Sequence, residues 1–458
     1  MNKGCRILKR TLKLVTLMFL ILTMVIGCSN NSGNAGKTGD TGNAESKGNA
    51  GNTGNKENVV ETPEEVTVRV WFGREDFIPG DKFDSFHKQY PHIKVETDVI
   101  PLEQSVADFM RNYNADNAPD IFQTYHENVF TLGNQGVLYD MTSEYDEWKA
   151  NDPVSYNNLM PQAFSITSYQ GKPHGLAIHM GPRWNVYRSD WFAEAGINPP
   201  KTWDDVLDAA RKLKDEGHLK AGQYGFGVVV GADNAPNWFQ SQFQSMGGEY
   251  TESGLPIMDS DAGKYLINFY QTLMREGLAH PETLAWQSGE MRGAFISGNT
   301  AMATIGDNIF PIINKDLGPY GEKWKAMEQP ARPGAEEAGR PNASSWVMMV
   351  SKKTEHPDAV SKVLQYLSST DIVREVAHRY QPTTNITVMT EDAYFEAKPW
   401  QAELEDAFGR AEFVPGHLKH PELQRILLDL MQEAVANPDR PAAEIAQKYQ
   451  AQINVLDQ

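Results

Sequence analysis

Residues that could perform catalysis are sparse in this chain. The sequence contains no G-x-S-x-G nucleophile motif and no H-E-x-x-H zinc motif. An S-x-x-K sequence at Ser85–Lys88 lacks the companion motifs of the serine enzymes that use it and falls within a helical pattern. His417 and His420 could share a helix face, but without a further ligand pair nearby a solvated pair is favoured over a metal site. The sequence therefore predicts no catalytic residue, no metal site and no cofactor.

An aromatic ring with charged neighbours near residue 70 is a better candidate for chemistry, and the chemistry is binding. The alternation of valine with polar residues across 66–70 predicts a strand that carries Trp71 at its end, and Arg74 and Glu75 follow directly. In parallel α/β sheets, ligands bind beyond the carboxyl ends of the strands. The pattern therefore directs attention to the segment from Trp71 to Glu75.

The elements that must position this segment can be read from the residues around it. A helical face at 83–90 stops at Pro91, and the alternation at 93–99 predicts a second strand. Strand, helix and strand in succession predict a βαβ unit and hence a parallel sheet. A capping-box pattern at 202–205 and a proline at 357 predict the starts of further helices. The predicted fold class is α/β.

The N-terminus has the features of an export signal. Basic residues precede an apolar run from Leu14 to Ile26, which as a helix would be about 20 Å long, too short for a hydrocarbon layer of about 30 Å. Gly27-Cys28 resembles the cleavage site of bacterial lipoprotein signals, which implies that Cys28 becomes an acylated N-terminus. We expect residues 1–27 to be a signal peptide and the protein to lie outside the cytoplasm, anchored by lipid to the cell membrane.

The residues after Cys28 are expected to form a tether. Residues 29–58 consist largely of Gly, Asn, Ser, Thr, Ala and Lys, so they cannot form a core, and we assign 28–62 to a lipidated, flexible segment. Cys5 and Cys28 are the only cysteines, which leaves the folded part without a disulfide. The formal net charge of −18 argues against nucleic acid or an anionic lipid surface as a partner.

Several segments, in order along the chain, resemble the bacterial extracellular solute-binding proteins of family 1, which serve ABC sugar importers and include maltodextrin-binding protein. The central signature extends from Gly171 to Asp205, and a second landmark from Phe295 to Asp307 resembles F-x-x-G-x-x-A-M-x-x-x-G. Ala118–Phe122 and Gly136–Asp140 match the family's P-D-I and G-x-L-x-D stretches. Arg188-Ser189 and Gly181–Trp184 depart from the family pattern, which bears on the ligand and not on the fold.

The resemblance implies a two-lobed, periplasmic-binding-protein-like fold of type II. Each lobe would be a mainly parallel sheet flanked by helices, with hinge crossings near Leu176, Gly306 and Ser351. Residues 63–177 and 307–351 would form lobe 1, and 178–306 and 352–458 lobe 2. A solute would be enclosed between the lobes by hinge closure.

Candidate ligand-binding residues combine rings with polar groups, because a sugar presents C–H faces to rings and hydroxyls to polar side chains. The candidates are Trp71, Arg74, Glu75, Tyr125, His126, Glu127, Arg183, Trp184, Trp238, Asp307, Asn308 and Trp346. Trp191 and Trp203 are assigned instead to helix packing. Arg183 could hold the carboxylate of a uronic sugar, although an ordinary salt bridge or a neutral sugar contact is the favoured alternative.

The function implied by the resemblance is that of a non-enzymatic, monomeric binding protein. It would capture an extracellular carbohydrate, in particular an oligosaccharide, and deliver it to the permease subunits of an ABC transporter. Two alternatives stay open. Sixty acidic residues guarantee chance carboxylate pairs, so a lipid-anchored glycoside hydrolase is the enzymatic alternative, and a ligand receptor for a membrane sensor is the other.

Overall fold

Helices pack against a mixed β-sheet in the residues that the computed structural model describes, which are 64–231, 235–335 and 340–458. The predicted signal peptide, the tether and Cys28 lie outside these residues. Within the described part of the chain, no helix is both long enough and apolar enough to cross a bilayer.

The bounds of the elements are as follows. The strands are β1 Val66–Phe72, β2 Ile93–Val99, β3 Ile121–Tyr125, β4 Ser168–Tyr169, β5 Lys172–Pro173, β6 Gly175–Tyr187, β7 Tyr224–Gly227, β8 Thr300–Gly306, β9 Lys325–Met327, β10 Asn342–Val350 and β11 Glu412–Phe413. The α-helices are Asp84–Gln89, Leu102–Asn114, Asn128–Asn134, Thr142–Asn151, Pro153–Asn157, Gln162–Ser165, Ser189–Glu194, Trp203–Asp215, Pro236–Ser245, Asp261–Arg275, Ser288–Ile296, Phe310–Asp316, Pro357–Ser368, Thr370–Arg379, Ile386–Met389, Asp392–Ala397, Pro399–Glu403, Glu405–Phe408, His420–Ala436 and Ala442–Asn454.

Local sequence signals account for several of these elements. The predicted strand, helix and strand at the start of the fold are confirmed as β1, Asp84–Gln89 and β2, and β1 pairs in parallel with β2. The predicted capping box is confirmed, because Thr202 Oγ1 accepts from the backbone N–H of Asp205, and the Asp205 carboxylate accepts from that of Thr202. Pro357 begins its helix, where the missing proline N–H costs no intrahelical bond.

The strands follow the order β2-β1-β3-β10-β6-β8-β7, and their directions are mixed. β1 is parallel to β2 and β3, and β7 is parallel to β8, but β10 is antiparallel to both β3 and β6. β6 is also antiparallel to β8 and β9. The sheets are therefore mixed, where the sequence predicts mainly parallel ones.

The first part of the sheet consists of β2, β1, β3, β10 and the first half of β6. Alternating side chains in β10 pack on its opposite faces. Met348 and Val350 belong to one buried apolar cluster, while Val347 and Met349 belong to another. Successive side chains in a strand point to opposite faces, so a strand covered on both faces reads as a continuous apolar run. These two clusters form the core of the first lobe.

β6 connects the first core to a second, larger one. Its first half pairs with β10, and its second half, from Arg183 to Tyr187, pairs with β8. The second core contains Trp184, Phe226, Trp324 and Trp400 and is built mainly from helices around β7, β8 and β9. All thirteen residues of β6 are buried, so one continuous strand joins the two lobes.

The packing places the lobe boundaries differently from the sequence prediction. Residues 178–182 stay in the first part of the sheet, and Phe310, Ile313 and Trp324 pack in the second core, although 307–351 was expected in lobe 1. The helices from 357 to 397 pack in the first core, although 352–458 was expected in lobe 2. The cause is that the chain crosses between the lobes at later residues than the motifs suggest. We therefore assign the helices at 357–397 to the first lobe.

Candidate functional site

A cleft of about 280 Å³ lies where β6, β8 and β10 meet. Residues that line it from the first core's side form what we call the first wall: Gly73, Arg74, Pro101, Leu102, Glu103, Tyr125, Ser344, Trp346 and Gln381. The second wall consists of Arg183, Asn237, Trp238, Ser288, Met291, Arg292, Ile305, Gly306, Asp307, Asn308 and Ile309. Gly181 and Pro182 of β6 lie between the walls.

Arg74 and Tyr125 of the first wall are bonded to neighbouring residues, whereas the buried Oε1 of Gln381 has no hydrogen-bond partner within the described residues. Arg74 donates from Nε and Nη2 to both carboxylate oxygens of Asp76, at 3.0 and 2.6 Å. The Tyr125 hydroxyl donates to Glu103 Oε1 at 3.1 Å. The ring of Trp346 makes an edge contact with Tyr125 at a centroid distance of 6.5 Å, so two aromatic side chains share this wall.

Arg183 and Trp238 form the centre of the second wall. The guanidinium carbon of Arg183 lies 5.3 Å from the centroid of the Trp238 ring, within cation–π distance. The indole N–H of Trp238 donates to the carbonyl of Thr304 at 3.0 Å, which fixes the plane of the ring. Arg183 Nη1 donates to Asn342 Oδ1 at 2.6 Å, and Arg183 is only 8% exposed. Burial lowers the pKa of the Arg183 guanidinium, while Glu127 and Tyr125 oppose this shift.

Asp307 enters the cleft directly after β8 because β6 carries a glycine opposite it. A Cβ at Gly181 would lie only 2.6 Å from Asp307 Oδ1, so a larger residue there would displace the carboxylate. Asp307 Oδ2 accepts a hydrogen bond from Gln401 Nε2 at 3.1 Å. Burial raises the pKa of Asp307 and lowers that of the buried Lys398, although the attraction between the two charges opposes both shifts. The neighbouring Asn308 also lines the cleft.

Seven of the predicted site residues line this one cleft. They are Arg74, Tyr125, Arg183, Trp238, Asp307, Asn308 and Trp346.

The other five predicted residues lie elsewhere. Trp71 packs in a first-lobe cluster with Phe122, on the sheet face opposite Val70 and Phe72. Trp184 is fully buried in the second core, because it follows Arg183 in a strand and therefore points to the other face. Glu75 is exposed and does not line the cleft.

His126 and Glu127 are buried beside the cleft rather than in its lining. His126 Nδ1 lies 3.1 Å from Glu127 Oε2, and the His126 ring contacts Phe413 at a centroid distance of 4.9 Å. Burial acts to raise the pKa of Glu127, but His126, His420 and a backbone hydrogen bond together lower that pKa to about 2. Burial also lowers the pKa of His420 to about 4, with Glu127 opposing. These groups form a polar junction between the first lobe and the C-terminal helices.

Six polar lining residues are absent from the sequence prediction: Glu103, Asn237, Ser288, Arg292, Ser344 and Gln381. Glu103 and Arg292 lie on helices whose exposed charged residues give no separate signal in the sequence. Asn237 is adjacent to the predicted Trp238, so a wider window around each ring could have found it. Gln381 is 4% exposed and follows a helix that the sequence assigns to the other lobe.

The arrangement suits the binding of a small polar molecule with apolar faces. One ring on each wall, Trp346 and Trp238, is accompanied by guanidinium, carboxylate and amide groups. Within the described residues, no group of three or more His, Cys, Asp or Glu side chains is arranged to hold a metal ion.

The chain belongs to the bacterial extracellular solute-binding protein family, whose model matches residues 74–373. This confirms the family resemblance read from the motifs. A probable amino-acid ABC transporter periplasmic-binding protein, y4oP of Sinorhizobium fredii, is 26% identical over 281 residues, which cover 58% of this chain and 61% of that protein. The sn-glycerol-3-phosphate-binding periplasmic protein UgpB of Escherichia coli is 23% identical over 351 residues, covering 73% and 78%.

A solved structure supports the same fold. Maltose-bound MalE3 of T. maritima superimposes with a TM-score of 0.72 at 19% identity, covering 85% of this chain and all of that one. The predicted α/β, two-lobed, periplasmic-binding-protein-like fold is thereby confirmed.

Proposed function

We propose that this chain captures an extracellular carbohydrate or polyol in the cleft and delivers it to the permease of an ABC importer. The observation that carries the proposal is the pairing of Trp346 and Trp238 on opposite walls, each beside hydrogen-bonding side chains. A sugar or polyol needs both kinds of contact, since its C–H groups pack on rings and its hydroxyls bond to polar groups. MalE3, a structural neighbour, is solved with maltose.

Hinge closure would couple capture to delivery. Each wall belongs to a different lobe, and β6 runs continuously between them. A solute that touches both walls stabilises the closed arrangement only through contacts that the separated lobes cannot make. The permease would then recognise the closed form. We place the ligand contacts at the seven predicted residues that line the cleft.

We further propose that the protein acts as a monomer without catalysis, outside the cytoplasm and attached to the cell membrane through acylated Cys28. The signal-like residues 1–27 and the Gly/Asn-rich segment 28–62 support this proposal. Mass spectrometry of the mature N-terminus should show a diacylglyceryl-modified cysteine. An unmodified Cys28 would contradict the anchor without affecting the binding proposal.

A thermal-shift screen tests the binding proposal. The purified full chain would be heated with mono- and oligosaccharides and polyols, and bound material would be recovered from any positive sample. A ligand at a hundred times its Kd should add about 2.7 kcal/mol of stability, which raises Tm by several degrees. A shift with the solute recovered intact supports the proposal. A shift with a shortened saccharide would indicate a hydrolase, and no shift with any carbohydrate or polyol would refute the solute class.

A further inference from the structure

Two arginines of the second wall lack carboxylate partners, in a chain whose net charge is −18. Neither Arg183 nor Arg292 makes an ion pair with any residue in the described ranges. Arg74, Arg188 and Arg374 are paired with Asp or Glu, whereas Arg69 and Arg275, outside the cleft, bond to an amide and a carbonyl oxygen. Arg183 is buried and Arg292 is partly buried. Because a buried cation without an opposite charge is costly, the presence of Arg183 in a cleft points to a negative charge that arrives with the ligand.

The orientation of Arg183 is set by a chain of amide hydrogen bonds. Asn342 Nδ2 donates to Gln244 Oε1 at 3.1 Å, which turns Asn342 Oδ1 toward Arg183 Nη1. Gln244 in turn donates to the backbone carbonyl of Glu412 at 3.2 Å. Nη1 is the one guanidinium nitrogen of Arg183 with a bonding partner in the described part of the chain, and the cation lines the cleft. The remaining N–H groups are therefore positioned for a planar or tetrahedral oxyanion.

Further groups of the second wall add positive potential. Arg292 lies on the helix Ser288–Ile296, and the first residue of that helix, Ser288, also lines the cleft. Asn237 lies in the first turn of the helix Pro236–Ser245. Helix N-termini carry a partial positive charge that favours anions, although Glu290 already caps the first of these helices at Gln287.

The acidic groups nearby make their hydrogen bonds and ion-pair contacts with residues other than the two arginines. Glu103 accepts from Tyr125, and Asp307 accepts from Gln401. Asp307 also has the buried Lys398 as a nearby positive charge, which attracts its carboxylate. Glu127 lies close enough to influence Arg183 electrostatically, but it is within ion-pair distance of His126 instead.

We propose that the solute carries an oxyanion, a carboxylate or a phosphate on a sugar or polyol, and that Arg183 and Arg292 bind this group. This inference rests on the proposed function and narrows its solute class. Trp238 supplies the ring face beside the anion, and Trp346 supplies the face on the opposite wall. Neutral sugars of the same shape would lose the charge-assisted hydrogen bonds and bind more weakly.

Matched ligands that differ only in the charged group test the inference. Isothermal titration of the full chain would use hexoses, the corresponding hexuronates and hexose 6-phosphates in the glucose, galactose and mannose series, with digalacturonate and galactobiose as disaccharides. We expect one anionic series to bind at least tenfold tighter than its neutral counterpart. Comparison of the hexuronates with the hexose 6-phosphates identifies which oxyanion the protein binds. Equal or tighter binding of the neutral compound would overturn the inference and leave the proposed function intact. No binding by any compound of this panel would also overturn the inference, and the wider thermal-shift screen then decides on the proposed function.

Variants then assign the preference to the arginines. Arg183→Gln should reduce the anion preference at least tenfold, Arg183→Lys should restore part of it, and Arg292→Gln should reduce it less. Arg425→Gln is the matched control, since Arg425 is an exposed arginine of the second lobe outside the cleft. Circular dichroism would verify that each variant is folded. If Arg183→Gln weakens neutral and anionic ligands by the same factor, or if it fails to fold and Arg292→Gln leaves the preference unchanged, the inference is wrong.

Discussion

The two walls of the cleft use the same residue types in different ways. On the first wall, Arg74 is tied to Asp76 by two hydrogen bonds, and Tyr125 is bonded to Glu103. On the second wall, Arg183 and Arg292 have no carboxylate partner within the described residues. The comparison suggests that both walls contribute ring faces, while only the second wall offers cations to the solute.

The largest expected effect concerns the tryptophans that support the walls from within the cores. Trp71→Ala and Trp184→Ala should each lower the free energy of unfolding by about 3–5 kcal/mol, because each leaves a large cavity. Urea denaturation measures the loss. Ligand affinity, measured where the variants are still folded, should change less than it does for the cleft tryptophans. A variant of either residue that is fully stable but cannot bind ligand would contradict the assignment to the cores.

A second effect is expected at the junction of the lobes, where Glu127 faces His420. The folded state depresses the pKa of His420 to about 4, whereas the unfolded chain binds a proton near pH 6.5. Above about pH 6.5 neither state binds this proton, and the free energy of unfolding is unaffected. As the pH falls toward 4, the unfolded chain binds the proton first, which lowers the free energy of unfolding by an amount on the order of 3 kcal/mol. His179, whose pKa burial lowers to about 3, acts in the same direction.

His420→Gln should therefore flatten the decline of stability between pH 6.5 and 4.5 without abolishing it, since His179 still contributes. Denaturation curves at several pH values would show the change. An unaltered slope would mean that His420 contributes nothing to the decline of stability in this pH range.

A third test compares one ring from each wall. Trp238→Ala and Trp346→Ala should each weaken solute binding about tenfold or more, because both rings line the cleft. Titration of the best ligand from the screen gives the Kd values, and Trp191→Ala serves as the control, since Trp191 lies outside the cleft lining. Near-native affinity in both cleft variants would show that the solute binds elsewhere.

The smallest effect is expected for the paired arginine of the first wall. Arg74→Gln should change the Kd of an anionic solute by less than about threefold. The Nε and Nη2 donors of Arg74 already bind Asp76, and partly exposed ion pairs contribute little free energy. Arg183→Gln, measured in the same series, should have the much larger effect. Equal losses would remove the distinction between the walls.

The sequence predicts the fold well because the relevant signals are local. The capping box at Thr202, the alternation in β1 and the family motifs each depend on a few adjacent residues. The search for rings at strand ends likewise leads to Tyr125, the last residue of β3, whereas Trp346 lies in the middle of β10 and pairs with Tyr125 across the sheet.

What the sequence does not predict depends on distant contacts. Arg183 and Trp184 are adjacent in a strand that is buried throughout, so local pattern does not say which of them faces the cleft. Arg292 reaches the second wall only because its helix packs beside β8, more than a hundred residues after Arg183. The lobe boundaries depend in the same way on where β6 passes from one core to the other.

The most direct test of the central claim is a competition experiment. The full chain would be incubated with equal concentrations of digalacturonate and galactobiose, and with equal concentrations of each hexose, its hexuronate and its 6-phosphate. After separation of the free solutes, the bound material would be released by denaturation and identified by mass spectrometry. The account predicts an intact anionic solute in large excess over its neutral counterpart. Recovery of the neutral compound in equal or greater amount would contradict it.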